Sequence, residues 1–226
     1  MPAPITVIIP TLNSAPQLQR CLGALGEGIM DGLLAEVIFA DGGSNDDTKL
    51  IAEEVGATFL STPNGRGNQM AAAARIARGD WLLFLHSDSV LGRDWQTAVT
   101  RHLSNTDQAA YFKLRFDETT FPAKMVAGWA NFRSRWFGLP YGDQGLLISQ
   151  RLYNRIGGFA EIPLMEDVLI AKSLRGKLIA LPASIETSAD KYRQDGWIKR
   201  SFINFSVLLR YLTGTDPAKL AAKYNR

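Results

Sequence analysis

Short apolar runs alternate with amphipathic segments through the first half of the chain. Residues 5–9 form a β-branched run that Pro10 ends, and residues 36–40, 57–61 and 81–85 have the same strand-like pattern. Runs that are apolar throughout are typical of strands buried on both faces of a sheet. The pattern therefore predicts four strands in this half of the chain.

The segments between these strands have the spacing of helices. Ser14 is predicted to cap the first helix, and Ser44 with Asp47 is predicted to cap the second. Residues 68–78 are rich in alanine and predict a third helix. Strands and helices that alternate in this way predict an α/β domain with a mostly parallel sheet and helices on both of its faces.

A less regular pattern fills the second half of the chain. Residues 109–116 predict a strand, and residues 124–136, 166–174 and 197–212 predict helices, of which the last is basic and amphipathic. No internal repeat, low-complexity tract or linker divides the sequence. We therefore expect a single domain, residues 1–226.

Composition excludes several classes of protein. The chain has 226 residues, of which 46% are hydrophobic and 21% charged, which rules out collagen-like and disordered proteins. Its single cysteine cannot form an internal disulfide. The amino terminus lacks the basic and apolar regions of a signal peptide, and no apolar stretch is long enough to span a bilayer. We expect a cytoplasmic protein, either free or peripherally attached to the inner membrane face.

Charge is divided unevenly between the two halves. Residues 1–100 carry 6 basic and 11 acidic side chains, whereas residues 101–226 carry 19 basic and 11 acidic ones. The net charge of +3 is too small to indicate nucleic-acid binding, so no nucleic-acid partner is expected. An acidic first half suits a metal ion, and a basic second half suits an anionic ligand or membrane surface.

Polar residues follow each of the four predicted strands. Asn13 follows the first strand, Asp41 the second, residues 65–68 the third and Asp88 the fourth. Parallel sheets bind ligands at the carboxyl ends of their strands. The sequence therefore predicts a binding site at this edge of the sheet.

The order of these segments resembles the family 2 glycosyltransferases, whose nucleotide-sugar-binding fold is called GT-A. Residues 10–13 (Pro-Thr-Leu-Asn) resemble the opening motif of that family, and residues 41–48 its second motif. Residues 86–88 (His-Ser-Asp) resemble the metal motif, and residues 166–167 (Glu-Asp) the motif of the catalytic base. Residues 65–70 and 191–197 are in addition similar to a small bacterial branch, the rSAM/selenodomain-associated transferases.

The resemblance implies a function and a division of labour along the chain. It implies transfer of a sugar from a nucleotide diphosphate donor, a UDP-sugar, to a hydroxyl acceptor. Residues 1–95 would bind the nucleotide sugar, residues 96–196 would hold the acceptor and the catalytic base, and residues 197–226 would form a basic helical segment. The expected donor contacts are Pro10, Thr11, Asn13, Asp41, Gly43, Arg66, Asn68, Ser87 and Asp88.

Two of the donor contacts have a specific chemistry. The carboxylate of Asp41 can accept a hydrogen bond from the N3–H of a uracil-type base, although Asp-Gly is also a common turn dipeptide. Arg66 stands in a glycine loop at the start of a helix, where it can hold a base carbonyl or a phosphate. The alternative for Arg66 is a solvent-exposed loop residue.

Residues 86–88 are expected to bind a divalent metal ion. A diphosphate leaving group needs its charge neutralised, and oxygen ligands favour Mg²⁺ or Mn²⁺. Asp88 is the expected metal ligand. The commoner family pattern has an aspartate where His86 stands, so His86 is either a further ligand, a donor behind the ligand or an ordinary polar residue at a strand end.

Asp167 is the catalytic base that the resemblance implies. It would remove the proton from the acceptor hydroxyl as that oxygen attacks the anomeric carbon, which gives inversion in a single displacement. Its neighbour Glu166 would lie near the acceptor or sugar. Alternatively, both acids only place favourable charge at a helix start.

The acceptor side is expected to include Asp143 and Gln144, which suit sugar hydroxyls, and Trp136. Trp136 belongs to an aromatic stripe that would either stack against a sugar ring or pack in the hydrophobic core. Arg193 is expected to contact the diphosphate as part of a lid. The basic helix at residues 197–212 either rests on a membrane near a lipid-linked acceptor or packs on the domain with a solvated basic face.

Two other functions compete with sugar transfer. The first is a nucleotidyltransferase, which would carry a glycine-rich basic loop near the amino terminus where this chain has residues 10–13. The second is a non-catalytic module that binds nucleotide sugars. Retention of Asp41, Asp88 and Asp167 together argues against the binding module.

Overall fold

Eight strands form one sheet in the part of the chain that the computed structural model describes, residues 4–224, with side chains described through residue 221. In chain order the strands are β1 (Ile5–Thr11), β2 (Leu34–Asp41), β3 (Thr58–Ser61), β4 (Trp81–Phe84), β5 (Val90–Leu91), β6 (Ala109–Phe116), β7 (Leu146–Ser149) and β8 (Leu178–Thr187).

The strands are ordered β3-β2-β1-β4-β7-β6-β8-β5 across the sheet. β3, β2, β1 and β4 are parallel to one another, as are β6 and β8. β7 runs antiparallel to both β4 and β6, and the short β5 runs antiparallel to β8. The predicted α/β fold with a mostly parallel sheet is therefore confirmed.

Ten α-helices accompany these strands in the described range. They are α1 (Ala15–Met30), α2 (Thr48–Glu54), α3 (Arg66–Ile76), α4 (Trp95–His102), α5 (Phe121–Phe137), α6 (Gln150–Arg155), α7 (Glu166–Ser173), α8 (Asp190–Asp195), α9 (Trp197–Leu212) and α10 (Pro217–Tyr224). The predicted strand at 109–116 and helix at 197–212 have these bounds. Among residues 4–224, no helix is both long enough and apolar enough to cross a bilayer.

Parts of two predictions fall outside the described residues. Residues 1–3 belong to the amino terminus in which no signal peptide was expected, and residues 225–226 end the predicted segment 197–226. The described part of that segment contains α9 and α10.

Apolar side chains of β1 enter both halves of the core. Val7 and Ile9 are fully buried on one face of the sheet, and Ile8 is fully buried on the other, where it joins Met70 of α3. Successive side chains of a strand point to opposite faces, so a strand covered on both sides must be apolar throughout. This explains the uninterrupted apolar run that begins the sequence.

The first turns of α1 and α2 are held by Asp46, a residue that the capping pattern did not predict. Asp46 accepts hydrogen bonds from the backbone N–H of Ala15 at 3.0 Å and from that of Thr48 at 3.1 Å. Asp46 thus joins the starts of α1 and α2. Ser14 occupies the predicted N-cap position of α1, although its side chain makes no capping bond there. Asp47 occupies the N-cap position of α2, also without a side-chain bond, so the predicted capping by Ser44 with Asp47 is wrong.

Gly67, in the first turn of α3, packs directly on a backbone segment from the second half of the chain. A Cβ at this position would stand 2.2 Å from the carbonyl oxygen of Ala160 and 2.7 Å from that of Ile162. Only glycine permits such an approach. The start of α3 is therefore fixed against the segment that leads to α7.

We expect Gly67→Ala to destabilise the protein by about 1–3 kcal/mol, because the methyl group meets fixed backbone. Chemical unfolding of the purified variant measures the loss. Gly23→Ala is the matched control, because Gly23 also lies in a helix and a Cβ there meets nothing within 4 Å. The control should match or exceed the stability of the parent protein, and equal losses in both variants would contradict the proposed packing constraint.

Candidate active site

The carboxyl ends of three parallel strands meet at one edge of the sheet. Thr11 ends β1 and pairs in register with Asp41 at the end of β2. Asp88 lies beyond the end of β4, the other neighbour of β1, and accepts a hydrogen bond from the Thr187 hydroxyl at 3.2 Å. The predicted polar residues of the first half are thus brought to the same edge.

Asp41 is buried and fully engaged within the protein. Its Oδ2 accepts from the backbone N–H groups of Gly43 and Ser44, both at 2.8 Å, and its Oδ1 accepts from the hydroxyls of Thr11 and Ser44. These bonds lower the pKa of Asp41 despite the opposing effect of its burial. A carboxylate has about four acceptor sites, and all are used here. The geometry therefore gives Asp41 the task of shaping the loop, in place of the predicted contact with a base.

The loops around Asp41 present a different set of groups to solvent. Asn13, with a left-handed φ of 50°, donates its N–H to the Ser44 hydroxyl and accepts from the N–H of Asn45. Asn13 and Gly43 are exposed at the rim, whereas Pro10 and Thr11 are buried in β1. Of these four predicted donor contacts, only Asn13 and Gly43 are accessible to a ligand.

Gln69 is a site residue that the sequence did not reveal. It is 3% exposed, and its Nε2 donates to the carbonyl oxygens of Thr11 at 2.8 Å and Ala40 at 2.7 Å. These two bonds tie α3 to the ends of β1 and β2. The only signal in the sequence is a polar residue within an alanine-rich helix, and such residues usually face solvent.

Arg66 begins α3 and extends an exposed guanidinium over the site. Its positive charge adds to the effect of burial in lowering the pKa values of His86 and Lys191, and it opposes the rise in the pKa of Glu166, which places Arg66 near both the metal motif and the base motif. Asn68, two residues further on, donates to the carbonyl oxygen of Asn64 at 3.3 Å. Of the two predicted loop contacts, Arg66 faces the site and Asn68 closes the loop that presents it.

His86 is a neutral imidazole at the centre of the site. Burial, with Arg66 and Lys191 nearby, holds the pKa of His86 well below its usual range. Its Nε2 faces Gly142, where an added Cβ would stand only 2.5 Å away. A larger residue at position 142 would therefore displace the ring from this position.

The donor groups suit a metal ion that is shared with a ligand. In the described residues, no cluster of three or more His, Cys, Asp or Glu side chains could enclose an ion. Mg²⁺ is usually held by one or two carboxylates together with substrate phosphates, so a single carboxylate fits this mode of binding. Asp88 supplies that carboxylate, and Ser87 lies partly buried beside it.

Asp167 lies in the first turn of α7, directly across from the metal motif. Its Oδ2 accepts from the backbone N–H of Gly142 at 3.1 Å, and its Oδ1 accepts from that of Val168 at 2.7 Å. A cavity of about 30 Å³ beside it is lined by both His86 and Asp167. Gly142 thus lies between the imidazole of the metal motif and the carboxylate of the base motif.

Two further carboxyl groups in the site hold protons more tightly than usual. Burial and the adjacent charge of Asp167 raise the pKa of Glu166 to about 7. Burial likewise raises the pKa of Asp143 to about 6, with contributions from Asp167 and Asp88. The Oδ1 of Asp143 is buried and has no hydrogen-bond partner in the described part of the chain. Asp143 therefore lies close enough to interact electrostatically with both Asp167 and Asp88.

Gln144 cannot reach a sugar. It is completely buried, its Oε1 accepts from the Ser134 hydroxyl, and its Nε2 donates to the carbonyl oxygen of Phe112 at 3.2 Å. The predicted sugar contact of Gln144 is therefore wrong. In the 3₁₀ turn Gly142–Gln144 successive side chains diverge, so Asp143 faces the site while Gln144 faces the core.

Trp136 belongs to an exposed aromatic row on α5. Its side chain is 70% exposed, and its ring centroid lies 6.1 Å from that of Phe132, which follows Trp129 in the same row. The row is neither core nor part of the lining of the cavity at Asp167. The core interpretation is therefore wrong for Trp136, and its contact with a sugar ring stays a prediction.

Arg193 is held away from the site by three acids. Its guanidinium pairs with Asp190 at 2.6 Å, Glu118 at 3.1 Å and Asp117 at 3.2 Å. The contact of Arg193 with a diphosphate stays a prediction, and it requires these ion pairs to open. Lys191, also on α8, interacts electrostatically with Asp88, which raises the pKa of Lys191. Withdrawal from water and the charges of Arg66 and Arg200 outweigh this effect and lower the pKa.

The physical reason lies in helix geometry. Each residue turns an α-helix by about 100°, so residues two apart are separated by a rotation of about 200°. Their side chains therefore lie on nearly opposite faces of the helix. Lys191 and Arg193 therefore cannot face the same ligand, and α8 presents Lys191.

Comparisons with known proteins agree with this architecture. A model of the family "Glycosyl transferase family 2" matches residues 6–160. A relative from Rickettsia bellii, described as an uncharacterized glycosyltransferase, is 31% identical over 108 residues, which is 47% of this chain and 35% of the relative. The chain thus spans about a third of the length of that curated relative.

Solved structures share the fold at low sequence identity. Staphylococcus aureus TarS in complex with UDP-GlcNAc has a TM-score of 0.65 and 18% identity over 82% of this chain and 58% of TarS. The mannosyltransferase PcManGT from Pyrobaculum calidifontis, in complex with GDP-Man and Mn²⁺, has a TM-score of 0.61 and 20% identity over 83% and 57% of the two chains. The fold is that of GT-A glycosyltransferases, and the family match covers more than half of the sequence. The chain belongs to glycosyl transferase family 2.

Proposed function

We propose that the protein transfers a sugar from a nucleotide diphosphate donor, a UDP-sugar, to a hydroxyl acceptor with inversion of the anomeric centre. The observation that carries this proposal is the row formed by His86, Gly142 and Asp167. His86 of the expected metal motif and Asp167 of the expected base motif both line one small cavity, and Gly142 contacts both of them. A donor bound at Asp88 would then direct its anomeric carbon towards Asp167.

On the donor side, Asp88 would hold the metal ion. A bound Mg²⁺ or Mn²⁺ supplies charge neutralisation for the leaving diphosphate. Arg66 and Lys191 add two positive charges on the same side of the cavity, where they favour an anionic ligand over a neutral one. TarS binds UDP-GlcNAc, which supports a uridine donor, and PcManGT binds GDP-Man, which makes guanosine the nucleotide to test against it.

On the acceptor side, Asp167 would act as general base. Each of its oxygens accepts one backbone N–H and keeps a further lone pair for an acceptor hydroxyl. The two backbone bonds fix the orientation of the carboxylate, so it can take the proton as the hydroxyl oxygen attacks. Displacement in one step from the face opposite the nucleotide gives inversion.

Glu166 is less suited to this role than Asp167. Its side chain is 3% exposed, and a pKa of about 7 leaves much of it protonated at neutral pH. We assign Glu166 to the support of Asp167 and Arg66. We further propose that the protein belongs to the rSAM/selenodomain-associated branch, on the basis of residues 65–70 and 191–197.

We expect Asp167→Asn to lower transfer or donor hydrolysis by about 10²–10⁴-fold, because the amide cannot take up a proton. The assay is release of free UDP from a panel of UDP-sugars, with GDP-sugars in parallel. Asp107→Asn, at an exposed ion pair with Arg155, is the matched control and should keep full activity. Unchanged turnover in Asp167→Asn would exclude Asp167 as the base.

We expect UDP to bind only when Mn²⁺ is present. The Asp88→Ala variant should not bind UDP, with or without Mn²⁺. Thermal unfolding measures this, since UDP at a hundredfold excess over Kd should raise Tm by about 5 °C. Asp80→Ala is the control, because Asp80 is exposed and precedes β4 at the opposite edge of the sheet. Stabilisation by UDP and Mn²⁺ without turnover of any UDP-sugar would favour the binding module.

We expect the effect of Glu166→Gln on stability to depend on pH. Because the pKa of Glu166 rises from 4.5 to about 7 on folding, its contribution is complete below pH 4.5 and is lost as the pH rises through 7. The variant should therefore gain about 1–3 kcal/mol relative to the parent protein between pH 5 and pH 8. Unfolding in urea across this range measures the gain, and a constant difference would show that Glu166 is already ionised at pH 5.

A further inference from the structure

The helix α5 exposes an apolar stripe along its whole length. Six large apolar side chains, each 45–75% exposed, lie on its outer side: Phe121, Met125, Trp129, Phe132, Trp136 and Phe137. The first five recur at intervals of three or four residues, which places them on one face of the helix. The opposite side of α5 carries the small residues Ala123 and Ala130 that face the core.

The helix α9, which contacts α5, exposes a second stripe of the same kind. Its outer residues are 46–89% exposed and recur at intervals of four and three: Ile198, Phe202, Phe205, Leu209 and Leu212. The two helices contact each other, and we call the two stripes together the α5–α9 face. Exposed apolar regions of this extent mark an interaction site.

The charges of the α5–α9 face have a single sign. Neither helix contains an aspartate or a glutamate. Lys124, Arg135, Lys199 and Arg210 are exposed, and none of the four forms an ion pair with any described residue. The face therefore combines aromatic and aliphatic side chains with uncompensated positive charge.

This combination decides between the occupants of the face. In a two-fold symmetric pair, a second copy would place one basic, acid-free surface against another, where like charges repel. An anionic bilayer satisfies both properties, since aromatic and leucine side chains enter the headgroup region while lysine and arginine contact lipid phosphates. The aromatic residues are also those that favour the membrane interface.

We propose that the α5–α9 face binds the surface of a bilayer that contains anionic phospholipid. The two helices lie in the plane of the interface, with their apolar stripes inserted between the headgroups. Binding depends on both the inserted side chains and the basic residues, and it weakens as salt screens the charges.

The helix α9 lies near the candidate active site, because the charge of Asp167 adds to the effect of burial in raising the pKa of Tyr211 on α9. α5 ends at Phe137, five residues before Gly142, and the Lys172 ammonium of α7 lies 5.6 Å from the Tyr211 ring of α9. On the basis of the proposed function, an acceptor hydroxyl carried by a lipid of that bilayer would approach Asp167 from this side.

Co-sedimentation with vesicles tests membrane binding without any need for activity. The purified protein should bind vesicles of phosphatidylcholine with 30% phosphatidylglycerol at least about tenfold more tightly than vesicles of phosphatidylcholine alone. Addition of 0.5 M NaCl should reduce the binding to the anionic vesicles by about tenfold. Equal binding to both kinds of vesicle, or binding to neither, would overturn the proposal.

Two double variants separate the contributions of the face. Phe202→Ser with Trp136→Ser, and Lys199→Gln with Arg210→Gln, should each weaken binding to the anionic vesicles by about tenfold or more. Met30→Ser with Leu50→Ser is the matched control, because these side chains are 82% and 52% exposed on α1 and α2. The control should bind like the parent protein. Circular dichroism verifies folding, which the exposure of all six positions favours.

Light scattering after gel filtration tests whether a second copy of the chain occupies the α5–α9 face instead. A monomer in the absence of lipid is expected. A dimer that the Phe202→Ser and Trp136→Ser changes dissociate would assign the face to a second copy and would overturn the proposal. UDP release by the double variant Lys199→Gln, Arg210→Gln in detergent-free solution should equal that of the parent protein, so loss of membrane binding is distinguished from failure of the proposed catalytic site.

Discussion

The candidate site depends on the parallel pairing of β1 with both β2 and β4. Parallel strands end at the same edge, so the residues that follow them meet there although they are far apart in the chain. Asp41 and Asp88 are 47 positions apart, yet Asp41 ends β2 and Asp88 follows β4, the two strands that flank β1. The apolar residues of β1, buried on both faces, hold this arrangement in place.

Burial of polar groups at that edge determines what each residue can do. Asp41 has all of its acceptor sites filled by Thr11, Gly43 and Ser44, since a buried carboxylate without partners is costly. Gln69 joins the same network from α3. Asp88 and Asp167, by contrast, keep lone pairs for a ligand. The polar residues at this edge are thus of two kinds: those whose hydrogen bonds all stabilise the loop, and those that can still accept a hydrogen bond from a ligand.

The two halves of the site are joined by glycines at close contacts. Gly67 fixes α3 against the segment before α7, and Gly142 lies between His86 and Asp167. A Cβ at position 67 would collide with backbone atoms, and one at position 142 would displace the His86 ring. These contacts hold residues of the two halves of the chain next to each other.

Apolar periodicity and short motifs are local properties, so they predicted the alternating strands and helices of the first half, the strand at 109–116, the sheet edge that carries the polar residues, and the family. They did not predict β5 or β8, which complete the far side of the sheet. Only the tertiary structure decided that Arg193 is held by three acids while Lys191 faces Asp88, that Gln144 is buried, and that the aromatic stripe of α5 meets solvent. These outcomes depend on which face of a helix or turn meets the remainder of the chain. That choice is made by packing between distant segments, which a local pattern does not contain.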